Sequence, residues 1–198
     1  MDYNDVRSRL KRLYLSIDLR YESDVLQHMQ TKIEKKEAGK FTIEIDFNAK
    51  HDEDETINRI NAIIAGLANL KDHLKTKLRQ RGGNPQEIET EIDNELPLQL
   101  VIDLNNQEKH GYPLKKSNRS KKNPKIINIA KALSPRPGVP ATAFIRDPIT
   151  GAGYTDNMAI VITADVIDGK GNLLLSLNDL IDKSLDTWEK IVSKYGLK

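Results

Sequence analysis

The spacing of apolar residues changes along this chain, and that change constrains the fold more than any other feature. In residues 55–81 apolar side chains recur every three or four residues, which is the period of a helix. In residues 41–47 and 142–176 apolar and polar residues alternate, which is the period of a half-buried strand. Helices and strands segregated in this way favour an α+β fold, with a helical layer packed on a small antiparallel sheet.

Glycine and proline place the predicted boundaries. The helical layer should contain a long N-terminal helix within residues 5–37, helices at about 55–81 and 97–110, and a C-terminal helix at 177–195. The strands should be about 41–47, 142–147, 158–167 and 172–176. We expect a single domain over residues 1–198, with 112–140 as a long basic, proline-containing connection that holds at most a short helix or strand at 126–133.

Composition excludes several classes of function. The chain has 198 residues, enough for a core, and its 31 basic and 29 acidic side chains leave a net charge of +2, which points to no class of partner. It contains no cysteine and no apolar run near the roughly 18 residues of a membrane span. We therefore expect a cytoplasmic protein away from membranes. Four histidines and no familiar nucleotide or metal motif predict no cofactor and no metal.

Positive charge is concentrated between residues 115 and 125, where no acidic residue occurs. The cations of this segment are Lys115, Lys116, Arg119, Lys121, Lys122 and Lys125. Such a group can neutralise several backbone phosphates, so it predicts contact with nucleic acid or with an acidic protein. The other interpretation is a solvated connection between two elements.

Two predicted helices each place an asparagine four residues before a histidine. These pairs are Asn69 with His73 and Asn106 with His110, and Asp103 lies on the same helical face as the second pair. Helix 55–81 has a side with small residues, Ala62, Ala65 and Gly66, next to Asn69 and His73, which is called its small-residue side. If helix 97–110 packs on that side, both pairs could share one cleft in which a histidine acts as general base. Polar residues at helix ends also serve simply as caps or bridges.

The segment around His110 resembles the motif of HEPN-type RNases, in which an arginine and a polar residue precede a histidine at a helix end. Asn106 and His110 match the polar residue and the histidine, whereas Asn105 stands at the arginine position. The resemblance covers residues 55–110. It implies a helical bundle that dimerises around an RNA-cutting cleft, although without the arginine that stabilises the phosphate during cleavage.

Three functions follow from these patterns, in order of preference. The first is a binding protein whose surface around residues 103–125 contacts nucleic acid or another polyanion. The second is a HEPN-like ribonuclease using His110 together with His73. The third is a non-catalytic structural or assembly subunit that forms homo-oligomers through its helices.

Overall fold

The computed structural model describes residues 6–18, 21–22, 30–35, 41–46, 53–114, 118–135, 144–146, 153–155 and 158–197. Within these ranges the chain has an α+β fold, as predicted. The chain divides into two compact units, and the single domain expected from the sequence stays a prediction. The first unit comprises Met1–Asp18, Ile57–Ile129 and Ala164–Lys198, and the second comprises Leu19–Thr56 and Ala130–Thr163.

Five helices occur in the part of the chain that the structure describes. They are α1 (Val6–Asp18), α2 (Glu53–Gln80), α3 (Gln86–Asp93), α4 (Leu96–His110) and α5 (Leu177–Lys194). Helices α2, α4 and α5 confirm the predicted ones to within two residues at each end. Pro97 lies in the first turn of α4, where its missing N–H is of no consequence, and this explains the interruption between α3 and α4.

The strands of the described ranges form three small antiparallel groups. They are β1 (Tyr21–Glu22), β2 (Gln30–Lys35), β3 (Phe41–Asp46), β4 (Lys125–Pro135), β5 (Phe144–Arg146), β6 (Gly153–Thr155), β7 (Met158–Ile167) and β8 (Leu173–Ser176). In one sheet β7 lies between β1 and β4 and also pairs with β8, while β2 pairs with β3 and β5 pairs with β6. Strand β7 has the predicted bounds, and the predicted turn at 168–171 joins it to β8.

The predicted long N-terminal helix over 5–37 is wrong in its second half. Helix α1 ends at Asp18, and Gln30–Lys35 forms strand β2. This strand pairs with β3 in a regular antiparallel register that sets Ile33 opposite Ile43. The misassignment has a physical reason, because the spacing of four from Met29 to Ile33 fits both one helical turn and two strand repeats.

The predicted connection over 112–140 is also more structured than expected. Its second half is strand β4, an element of eleven residues that extends beyond the short segment considered at 126–133. Within the first unit Asn128 Nδ2 of β4 donates a hydrogen bond of 2.8 Å to Asp165 Oδ2 of β7. Residues 118–124 of the basic segment therefore form a loop that leads directly into a sheet strand.

The core of the first unit lies between α2 and its helical neighbours. The predicted apolar stripe of α2 is buried, and so is the apolar face of α5. Trp188 of α5 is fully buried, and its Nε1–H donates a hydrogen bond of 3.0 Å to the carbonyl oxygen of Leu67 in α2. That bond satisfies the only polar atom of the indole ring and fixes the register of α5 on α2.

The small-residue side of α2 faces a second helix, but that helix is α1. A Cβ atom added to Gly66 would lie 2.9 Å from Leu13 Cδ1 of α1. Helix α4 instead meets the apolar side of α2, where Leu104 and Gln107 line a cleft with Ile60 and Ile64. The packing of helix 97–110 on the small-residue side, which a shared histidine cleft requires, is therefore not observed.

In the second unit, β2 and β3 form a hairpin in which Thr31 lies opposite Ile45. Strand β3 confirms the predicted strand at 41–47 over Phe41–Asp46. The prediction that its apolar side chains are buried beneath a helix concerns atoms outside the described part of the chain. None of the described helices combines the length and the apolarity that crossing a membrane requires.

Candidate polyanion-binding surface

The loop after α4 is attached to that helix by Asp103, which was predicted to be a candidate catalytic residue. Asp103 is fully buried, and its carboxylate accepts three hydrogen bonds from the loop. The donors are the backbone N–H of Arg119 at 2.7 Å, the backbone N–H of Ser120 at 2.8 Å and the Ser120 hydroxyl at 2.6 Å. A buried carboxylate is stable only when it is satisfied in this way. The geometry therefore gives Asp103 a structural role as the anchor of the loop.

Arg119, predicted as a phosphate-contacting cation, binds acidic partners within the chain. Its Nε donates to Asp93 Oδ1 at 2.7 Å and its Nη1 to Glu89 Oε2 at 2.6 Å. Its Nη2 donates to the carbonyl oxygen of Glu89 at 2.8 Å. The guanidinium group thus joins the loop to α3, with three of its donors committed there. Its positive charge is neutralised locally and contributes little to an outward-facing field.

The charges around Glu89 stabilise one another electrostatically. Burial acts to raise the pKa of Glu89, but hydrogen bonds from Lys75 and Arg119 hold that pKa below its ordinary value. Burial likewise acts to lower the pKa of Arg119, whereas its hydrogen bonds to Asp93 and Glu89 raise that pKa overall. Both groups therefore stay charged at neutral pH, and α3 and the loop are held together by a partly buried ionic network.

The loop backbone is held in one conformation by local hydrogen bonds. Ser120 Oγ accepts from the N–H of Lys122 at 3.1 Å, and Asn118 Oδ1 accepts from the N–H of Asn123 at 3.3 Å. Lys121 and Asn123 have φ angles of 59° and 47°, in the left-handed region that side-chain-bearing residues rarely adopt. Several bonds are needed to hold two such residues, so we infer that the segment 118–124 is a preformed loop rather than a flexible linker.

The same loop docks on the turn between β7 and β8. The N–H of Gly169 donates a hydrogen bond of 2.7 Å to the carbonyl oxygen of Lys122. A Cβ atom on Gly169 would lie 3.3 Å from Asn123 Cβ and 3.6 Å from the Tyr112 hydroxyl, so glycine permits this close approach. The turn brings Lys170 next to the loop, a cation that lies 45 residues beyond Lys125 in the sequence.

Four lysines of the loop, of β4 and of the turn are exposed, and one of them lies over an aromatic ring. They are Lys121, Lys122, Lys125 and Lys170. Lys125 Nζ lies 4.7 Å from the centroid of the Tyr112 ring, and Tyr112 itself is 43% exposed. These five residues are called the basic surface below. Lys115 and Lys116, which belong to the predicted cation set, lie outside the described residues.

One carboxylate lies beside the basic surface. Asp168 in the β7–β8 turn accepts hydrogen bonds from the backbone N–H groups of Lys170 and Asn172, at 2.8 and 2.9 Å. Hydrogen bonds from Asn172 are the main reason why the pKa of Asp168 lies below its ordinary value, and the charge of Lys122 contributes to the same direction. Asp168 therefore shapes the turn that presents Lys170 and offsets part of the local positive charge.

The second predicted Asn/His pair lies at the end of α4. Asn106 is half-buried and His110 is exposed in the last turn, where Gly111 ends the helix with a φ of 80°. Asn105, which stands at the arginine position of the HEPN motif, is buried. A histidine in the last turn also lies where a positive charge interacts favourably with the helix dipole.

The first predicted pair lies elsewhere in the first unit. Asn69 and His73 of α2 line a cleft against α1, together with Arg9 and Arg12. The part of α2 that meets α4 is centred on Ile60, which is thirteen residues from His73, or about 20 Å along the helix. The structure therefore does not bring His73 and His110 into one cleft.

The sequence patterns did not predict the roles of several residues in these sites. Glu89 and Asp93 carry no signal that they pair with Arg119, and Lys170 lies in a turn whose glycines indicate only a hairpin. One signal was present for Lys170, since a basic residue inside an Asp-Gly-Lys-Gly turn projects into solvent.

Neither a search for a metal site nor a comparison with known proteins assigns a function to further residues. Within the described ranges, no three histidine, aspartate or glutamate side chains are grouped as metal ligands would be. No family model matches the sequence, and no curated protein or solved structure is significantly similar to it.

Proposed function

We propose that this protein binds a polyanion, with nucleic acid as the preferred class, through the basic surface of Lys121, Lys122, Lys125, Lys170 and Tyr112. The observation that carries the proposal is the division of charge around the loop. Arg119 is neutralised by Glu89 and Asp93 within the chain, whereas the four lysines are exposed on a loop and a turn bonded to each other. A preformed cationic surface avoids the entropic cost of ordering a mobile loop on binding.

Nucleic acid is favoured over an acidic protein because of Tyr112. Its ring is exposed although Lys125 lies over one face, so a base would stack on the opposite face while neighbouring ammonium groups contact phosphates. Lysine ammonium groups contact phosphates as point charges and carry no base-reading geometry. With a single exposed aromatic ring in the described part of this surface, binding should depend little on sequence and strongly on salt.

The test is a fluorescence anisotropy titration of a labelled single-stranded RNA and a DNA of the same sequence at several salt concentrations. The variant removes Lys121, Lys122 and Lys125 together, each replaced by glutamine. Its matched control removes three exposed cations of α2 and α5, outside the loop, by Arg79→Gln, Lys183→Gln and Lys190→Gln, and so has the same net charge. Each lost phosphate contact should reduce the slope of log affinity against log salt by about 0.7–0.9.

We expect the loop variant to bind several-fold more weakly and with a flatter salt dependence, while the control stays close to wild type. Tyr112→Leu should weaken single-stranded binding with no change of the salt slope, since it removes stacking and no charge. Equal losses in the variant and the control would indicate attraction by net charge alone. Binding of an acidic polypeptide but of no nucleic acid would reassign the partner class.

A further inference from the structure

The cleft between α1 and α2 collects positive charge in a place that the basic surface does not include. It has a volume of about 170 Å³, and its polar lining consists of Arg9 and Arg12 from α1 with Asn69 and His73 from α2. The arginines are three residues apart and the α2 pair four apart, so each pair lies on one face of its helix. Two helices therefore direct nitrogen-bearing side chains into one space.

Gly66 explains why α1 can approach so closely. A side chain at this position would meet Leu13 of α1, as the 2.9 Å distance from its added Cβ to Leu13 Cδ1 indicates. The close approach places the arginines of α1 opposite Asn69 and His73. The cleft is thus a consequence of how the small-residue side of α2 packs.

The cations of the cleft interact with one another. Burial lowers the pKa of Arg9, and the positive charge of Arg12 lowers it further. Burial is the main cause that lowers the pKa of His73, and the positive charges of Arg9 and Arg12 lower it further. The negative charge of Asp72 raises this pKa, but by less than the other causes lower it. An anion bound among positive groups that lower one another's pKa is electrostatically favourable.

We propose that this cleft binds a phosphate group, held by Arg9, Arg12, Asn69 and His73. A guanidinium group has five N–H donors, so an arginine can serve other contacts and still direct a pair of donors into the cleft. A tetrahedral phosphate offers acceptors to donors arriving from two helices, whereas a planar carboxylate matches one guanidinium. A cleft of this volume has room for a phosphate group.

The phosphate has two possible sources, which the experiment separates. Isothermal titration calorimetry measures binding of inorganic phosphate, of adenosine 5′-monophosphate and of a single-stranded oligonucleotide to the full chain. The test variant is Asn69→Asp, which introduces a carboxylate at an exposed cleft position. The matched control is Asn58→Asp, the same change at an exposed position of the same helix outside the cleft lining. Thermal unfolding by circular dichroism checks that both variants are folded.

We expect Asn69→Asp to weaken phosphate binding by about tenfold or more, since a charged hydrogen bond is lost and a repulsion added. Asn58→Asp should bind as wild type does, and so should the Lys121, Lys122 and Lys125 variant, which makes this site independent of the basic surface. If Asn69→Asp weakens the binding of the oligonucleotide but not of the two smaller ligands, the phosphate belongs to a nucleic-acid backbone. Absence of Asn69-dependent binding for all three ligands, or equal losses in both aspartate variants, would overturn the proposal.

Discussion

Asp103 of α4 and Ser120 of the following loop are joined by two hydrogen bonds to the same carboxylate oxygen. The Ser120 backbone N–H and hydroxyl both donate to Asp103 Oδ2, at 2.8 and 2.6 Å. Because the carboxylate is fully buried, it presents no free oxygen to a substrate in solution. Asp103, one of the candidate catalytic residues predicted from the sequence, thus holds the loop that carries exposed lysines.

Removing Asp103 should therefore destabilise the fold. Asp103→Ala leaves three donors of the loop without their acceptor, and we expect a loss of about 3 kcal/mol in the free energy of unfolding. Ser120→Ala removes one of the three bonds and should cost about 1 kcal/mol. Urea unfolding monitored by circular dichroism measures both. A loss below about 1 kcal/mol for Asp103→Ala would contradict the anchoring role.

Arg119 should behave as a structural residue rather than as a phosphate contact. Its side chain is 19% exposed and pairs with Glu89 and Asp93, so Arg119→Gln should lower the free energy of unfolding by about 1–3 kcal/mol. The neighbouring Lys121→Gln removes the same charge from an exposed position and should change stability by less than about 0.5 kcal/mol. Denaturant unfolding of the two variants in parallel is the measurement. Equal effects would mean that the Arg119 network contributes nothing to stability.

The same network should make stability depend on pH in the acid range. The folded-state pKa of Glu89 lies below its unfolded value of about 4.5, so the stabilisation from Glu89 is fully present above that pH. It is lost as the pH falls through the folded-state pKa, where the carboxylate takes up a proton and releases Lys75 and Arg119. Glu89→Gln should flatten the stability profile below about pH 4.5 relative to wild type. A wild-type slope that Glu89→Gln leaves unchanged would contradict this assignment.

Helices α2, α4 and α5 and the C-terminal strands could be predicted because their patterns have one interpretation. The α2 stripe recurs from Ile57 to Leu78, and only a helix buries such a pattern. Strand β2 could not be predicted in this way, since the single spacing of four from Met29 to its apolar residue Ile33 fits two periods, and its pairing with β3 decides between them. The type of a long element can be assigned from its local sequence pattern, whereas the type of a short element is decided by its contacts with other elements.

The candidate sites were predictable as residues but not as arrangements. Sequence identified the loop lysines and both Asn/His pairs. Which helix covers the small-residue side of α2 depends on packing that involves Gly66 and Leu13, and sequence spacing alone gives no preference between α1 and α4. For the same reason, the acids that neutralise Arg119 could not be told from the other acidic residues of the chain.

The separation of the two histidines leads to the last prediction, which concerns RNA cleavage. General acid–base cleavage needs its catalytic groups within hydrogen-bond reach of one phosphate. In this chain His110 is exposed at the end of α4, and the part of α2 facing that helix is about 20 Å from His73. We therefore expect that no RNA cleavage by the purified wild-type protein is abolished by His110→Ala. His73→Ala should likewise abolish no cleavage. Gel analysis of labelled RNA, with circular dichroism to confirm folding, makes the comparison. Cleavage by wild type that disappears in a folded His110→Ala variant would establish the ribonuclease interpretation in place of the binding one.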